Sequence, residues 1–214
     1  MEDKIKLDII SDVVCPWCII GYKRLEKAIS EMGIQDKIEI EWQPFELNPD
    51  MGADGEDVPA HIAHKYGTTP EEIRRSLLDL TNLGAELEFD FDYFDGMKMV
   101  NTRDLHILLD YANEVGKQTE LNIRLFEAFF SERKNLSDRT ILTQELQSVG
   151  LPVDEALARL DDNTARERVQ AQEAYWQNLG VSAVPTVIFN HSSALTGAQS
   201  VDVYKQVLAE LVEH

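Results

Sequence analysis

The sequence predicts an α/β protein in which a sheet-forming unit is split by a long inserted helical block. Three observations carry this. Residues 4–44 read as strand, helix, strand. Residues 71–179 carry successive apolar patterns at helical spacing. Residues 186–212 return to a short β-branched run, a second strand and a last helix. The division assigns residues 1–48 and 180–214 to the split α/β unit and residues 49–179 to an all-helical insertion.

The elements follow in order. Residues 4–10 alternate toward a first strand, and residues 11–14 form a short turn. A helix starts near Cys15 and runs to about Glu31, with Ile19, Ile20, Tyr22, Leu25 and Ile29 on its apolar face. Pro16 suits the first helical turn, where its missing N–H costs nothing, and Gly33 marks the stop. Residues 37–44 alternate Ile38, Ile40 and Trp42 against Glu39 and Glu41, a second strand parallel to the first. PDMGADGEDVP, from Pro49, is a connector. Helical patterns then cover residues 71–82, 103–114, 120–132, 139–149, 153–160 and 164–179, the last with Asn163 as cap and Gly180 as stop. LEFDFDYF, residues 87–94, alternates apolar and acidic residues and reads as strand-like or extended. Residues 186–189 and 194–196 pair as a hairpin, and residues 200–212 form the final helix.

Composition narrows the function. The chain has 214 residues, within reach of a single core, and its 43% apolar and 28% charged residues suit a globule. Twenty basic against 39 acidic residues leave a formal charge of −19, which repels phosphate backbones and anionic lipid. Nucleic-acid and membrane partners are not expected. No stretch of about 18 apolar residues spans a bilayer. The start, MEDKIKLDIISDVVC, shows no signal-peptide pattern, so the expected location is cytoplasmic.

Cys15 and Cys18 are the whole thiol inventory, too few for a disulfide scaffold or a four-ligand zinc site. His61 and His64 sit three apart, but nothing ties them to the cysteines, and neither metal nor cofactor is expected. Cys15-Pro16-Trp17-Cys18 falls between strand and helix. A sulfur there faces unpaired backbone N–H groups and the positive end of the helix dipole, which favour thiolate. Cys18 lies one turn deeper. Cys15 is therefore expected to attack a substrate disulfide, and Cys18 to attack the mixed disulfide and release product. Asp12 would oppose ionisation of Cys15 or shuttle a proton to Cys18. Trp17 is either an exposed contact beside Cys15 or a packing residue at the helix start.

The chain resembles the DsbA family of thioredoxin-fold oxidoreductases, in particular its FrnE-like cytosolic branch. The residues that carry the likeness are SDVVCPWCIIGYKRLEKAI, MVNTRDLHILLDYA, LFEAFFSERKNLSD, GVSAVPTVIFN and LTGAQSVDVYKQVL, in that order along the chain. The resemblance implies a thioredoxin fold interrupted by a helical domain and exchange of dithiol for disulfide on a protein or peptide, with glutathione as a further partner. It implies a cis Val184–Pro185 bond facing the cysteines, with Val184 offering backbone groups to an extended substrate. Asn101, Thr102 and His106 match a family stretch and line the active site in this reading, with His106 alternatively a satisfied buried histidine. Phe91, within residues 87–94, either lines a groove for unfolded substrate or pins a connector. Phe126, Phe129 and Phe130 are at core spacing. Two departures stand out. The acid that many such enzymes bury six residues before the first cysteine is Ile9, with Asp8 on the opposite strand face, and no second cysteine pair follows. Two alternatives remain. One is a glutathione-dependent isomerase or transferase similar to the 2-hydroxychromene-2-carboxylate isomerases. The other is a non-catalytic, chaperone-like binding module. The direction of electron flow and the oligomeric state are not legible.

Overall fold

The computed structural model describes residues 4–213. Strand β1 (Ile5–Ser11) leads into helix α1 (Pro16–Met32), and β2 (Ile38–Pro44) returns parallel to β1, with Ile9 opposite Trp42. Gly33 ends α1 in the left-handed region, at φ 65°, with its amide bonded to Ile29 O and Ser30 O. After the helical insertion, β5 (Thr186–Phe189) runs antiparallel to β1 and β6 (Ser193–Thr196) antiparallel to β5. The sheet order is β2-β1-β5-β6. Helix α9 (Val201–Val212), capped by Ser200 on the Val203 amide, packs against α1.

Between β2 and β5 the chain forms β3 (Glu56–Asp57), α2 (Val58–Tyr66), α3 (Pro70–Glu86), β4 (Lys98–Met99), α4 (Arg103–Glu114), α5 (Gln118–Phe130), α6 (Arg139–Ser148), α7 (Val153–Leu160) and α8 (Asn163–Asn178). The insertion is helical but not all-helical, because β3 and β4 make a two-residue antiparallel ladder. Helix α2 falls inside what the sequence suggests is connector. Its signals are short: Asp57 caps the Ala60 amide, Pro59 stands in the first turn, and Gly67 closes it at φ 67°. Helix α8 is capped by Asp162 on the Thr164 amide, not by Asn163. Residues 89–94 follow α3 as an extended segment outside any ladder. Acidic side chains at alternate positions face out, and Phe89 and Phe91 are buried.

The insertion docks back on the sheet. The Gln118 side chain donates to Trp42 O (2.9 Å) and accepts from Trp42 N (2.8 Å), which covers the open edge of β2. Trp176 of α8 donates its indole N–H to Gln43 Oε1 at 3.1 Å. On the α1 side, a Cβ added at Gly21 would meet Pro185 Cγ at 3.1 Å, so a bare backbone there lets the helix approach the loop before β5.

Candidate functional site

Cys15 is the N-cap residue of α1, in extended conformation, and no side chain caps the helix. Its amide donates to Asp12 O (3.0 Å), which tightens the β1–α1 turn, and Cys15 O accepts from Cys18 N (3.1 Å). The positive end of the helix is thus left facing the groove. Both cysteines are free thiols; Cys15 is 5% exposed and Cys18 fully enclosed. Burial pushes the Cys18 thiol well above its ordinary range, and the neighbouring Cys15 pushes it further, while the Ser11 hydroxyl and the Asp12 backbone oppose the rise. Cys18 therefore rests as a protonated thiol beneath Cys15.

The loop before β5 supplies the opposite wall. The Val184–Pro185 bond is cis, as the resemblance implied. The Cys15 thiol donates to Val184 O at 4.0 Å. Pro185 O is held in turn by the Gly197 amide at 2.7 Å. Trp17 is 46% exposed and stands at the mouth, so the contact reading of this residue is the one its position fits.

Cys15, Pro16, Trp17 and Val184 open onto a cavity of about 400 Å³. Its far wall comes from the insertion: Ile62 and Tyr66 of α2, Ile73, Leu77 and Leu80 of α3, Tyr93, and Phe129 and Phe130 of α5. Sequence reading missed α2 and hence its share of this wall, Ile62 and Tyr66. Phe129 and Phe130 are core residues as expected, and they also form its floor. Phe91 does not reach the cavity. It stands one layer behind, stacked on Tyr93 at 5.7 Å and edge-on to Phe130 at 5.1 Å, and it buttresses the residues that do line the groove. The polar groups at the rim are mostly engaged: His61 bonds Glu56 (2.7 Å) and Asn48 (3.1 Å), and Lys65 bonds Leu47 O and Asn48 (both 2.8 Å).

The remaining expected site residues sit elsewhere. Asn101 accepts from the Arg103 amide (3.0 Å) and donates to Pro49 O and Met51 O, so it ties the start of α4 to the connector. Thr102 is buried at the head of α4, where its carbonyl accepts from the His106 amide. The Asp12 carboxylate accepts from the Leu47 amide at 2.8 Å and lies 3.5 Å from His106 Nε2, so its side chain serves the strand ends, and its backbone is what bears on Cys18. His106 is buried, with Nε2 3.2 Å from Phe45 O. Burial lowers its affinity for a proton, but Asp12, Glu46 and Glu173 more than offset this, and the balance is upward. Asp8 faces away from Ile9 toward Gln43, which donates to it at 2.8 Å.

Among the described residues no helix is long and apolar enough to cross a membrane. The family model of the DSBA-like thioredoxin domain matches residues 6–209. The chain is 28% identical over 208 residues to the uncharacterized protein YwbO of Bacillus subtilis (strain 168), with 96% of each chain covered. It superposes on a probable DsbA oxidoreductase, SCO1869 of Streptomyces coelicolor, with a TM-score of 0.90 and 29% identity, covering 96% of this chain and 89% of that one. The cytosolic disulfide reductase DsbM of Pseudomonas aeruginosa, solved with GSH, shares the fold at a TM-score of 0.62 and 17% identity, with 98% of this chain and all of that chain (100%) covered.

Proposed function

The chain belongs to the DSBA-like thioredoxin domain family, and from that premise we propose that it exchanges dithiol for disulfide through Cys15 and Cys18. Cys15 attacks a substrate disulfide, the Cys15–substrate mixed disulfide forms, and Cys18 displaces the substrate thiolate. One observation carries the reading: a reachable sulfur at a helix start faces Val184 O across an apolar groove, with a second, protonated thiol directly beneath. Val184 offers its backbone to an extended chain, and the groove takes the apolar flank of a disulfide-bearing peptide. A low-mass thiol such as glutathione serves as the exchange partner, and the cytoplasm is the compartment in this proposal. Residues 1–48 with 180–214 form the thioredoxin-like part, and residues 49–179 supply the groove's far wall.

Insulin reduction with a thiol donor tests this. Wild type turns over. Cys15→Ser is inert, and Cys18→Ser stalls as a mixed disulfide visible by mass spectrometry. Turnover by Cys15→Ser overturns the assignment. A double Cys→Ser variant that suppresses aggregation as well as an inert wild type would point to the binding module. Glutathione-driven conversion of an aromatic small molecule that does not need Cys18 would point to the isomerase class.

A further inference from the structure

Cys18 is wholly buried, and the residue that would supply a buried acid beneath it is Ile9. Its proton still has to leave when it attacks Cys15. Building on the dithiol reading, we propose that this proton leaves through the Ser11 hydroxyl and one water held in a small cavity behind the site, with His106 as the acceptor and Asp12 as its positioning partner.

The cavity measures about 20 Å³, a volume that holds one water molecule. Ser11, His106 and Asn122 line it. Ser11 Oγ and Asn122 Oδ1 are both buried with no protein hydrogen-bond partner. Two such oxygens facing one pocket are what an internal water satisfies, since unpaired buried polar groups are costly. Ser11 closes the other end of the path: two residues beyond Ile9 on β1, it shares that residue's strand face, and its hydroxyl opposes the rise that burial imposes on the Cys18 thiol. Asp110, bonded to Arg168 of α8, stands on the outer wall, so the path leads toward solvent.

The tautomer of His106 follows from its partner. Phe45 O accepts only, so in the neutral ring Nε2 carries the hydrogen and Nδ1 is left to accept. Asp12 Oδ1, 3.5 Å from Nε2, stabilises the imidazolium once Nδ1 is protonated. Other charges face this group: Glu46, held by Arg103 of α4 at 2.9 Å, and Glu173 of α8, which accepts from the Glu46 amide at 2.7 Å. In the step itself, Ser11 takes the Cys18 proton as it passes its own to the water, which passes one to His106. The Cys18 electron pair forms the Cys15–Cys18 bond, and the Cys15–substrate bond breaks. The substrate sulfur leaves with the bonding pair and is protonated by solvent. The cysteine pair is oxidised by two electrons and the substrate is reduced by two.

Stopped-flow reaction of the reduced protein with 5,5′-dithiobis(2-nitrobenzoate) separates the two sulfurs. The first thionitrobenzoate reports attack by Cys15, the second attack by Cys18. Ser11→Ala removes one oxygen and keeps the fold, as checked by circular dichroism. It is expected to leave the first phase unchanged and slow the second at least about tenfold at pH 7, a loss of the order expected for proton-transfer catalysis. The gap should close at high pH, where hydroxide does the work. His106→Gln should remove the inflection in the second-phase pH profile. A folded Ser11→Ala protein with a wild-type second phase, or equal slowing of both phases, overturns the relay. A wild type that releases a single equivalent removes the dithiol reading and the relay together; two equivalents with unaltered variants remove the relay alone.

Discussion

Gly84 in α3 is where a single methyl group should reshape the groove from behind. A Cβ there would lie 2.5 Å from Phe89 O and 2.5 Å from Phe91 Cδ2, so the segment or the helix must move by about 1 Å to restore ordinary contact. Neither neighbour can yield easily. Gly84 O accepts from Leu87 N (2.8 Å) and Phe89 N (3.0 Å), and Phe91 is wedged among Phe89, Tyr93 and Phe130. Alanine gains about 1 kcal/mol of helix propensity over glycine. Overpacking against a pinned backbone costs about 3 kcal/mol, the upper end of the usual range, so the net loss for Gly84→Ala is about 2 kcal/mol. For a chain of this size that lowers Tm by roughly 4–8 °C. Because Tyr93 and Phe130 line the cavity, KM for insulin should rise while the rate of Cys15 alkylation stays put. Scanning fluorimetry and the turnover assay read both, with Gly52→Ala as control, since a Cβ at Gly52 meets nothing within 4 Å. An unchanged Tm together with an unchanged KM would refute the buttress argument.

Other consequences are as direct. The Tyr93 hydroxyl is buried without a partner, so Tyr93→Phe should stabilise the fold by about 1 kcal/mol, read as a Tm rise of roughly 2–4 °C; a fall would show that the hydroxyl is bonded in solution. Iodoacetamide at pH 7 should modify Cys15 at least about tenfold faster than Cys18, whose thiol is held protonated by burial, and peptide mapping that finds equal labelling contradicts this. Arg124 and then Lys134 hold the Glu132 carboxyl down at about 2, from an ordinary 4.5. A depressed carboxyl stabilises the fold above its unfolded value and loses that contribution as pH falls through the folded one. Glu132→Gln should therefore flatten the decline in urea stability between about pH 4.5 and 2, by a modest amount because the side chain is 39% exposed; an unaltered slope argues against the pairing.

The frame of the fold was legible because its signals are local. Pro16 and Gly33 bracket α1, the alternation of Ile38, Ile40 and Trp42 marks β2, and helices α4 and α7 begin and end where the apolar spacing says. Helix α2 was not, because nine residues of VPAHIAHKY bury only Val58 and His61 and so leave little periodic stripe to read. The alternating run leaves Phe91 open between groove lining and a pinned connector, and only the packing puts Tyr93 in the cavity wall and Phe91 one layer behind it. Asp12 stands three residues from Cys15, yet its carboxylate is drawn to the Leu47 amide, a partner 35 positions away.

By itself the sequence determined the candidate pair and the scaffold: two thiols at helix-turn spacing after a strand, and an α/β unit interrupted by helices, because turn geometry and apolar period depend on neighbours within a few residues. Only the tertiary structure decided the surroundings of those thiols. The cavity wall from α2, α3 and α5, the fully enclosed Cys18, and the pocket shared by Ser11, Asn122 and His106 all join segments distant in the chain. Burial and hydrogen-bond partnership are properties of packing, and no run of consecutive residues encodes them alone.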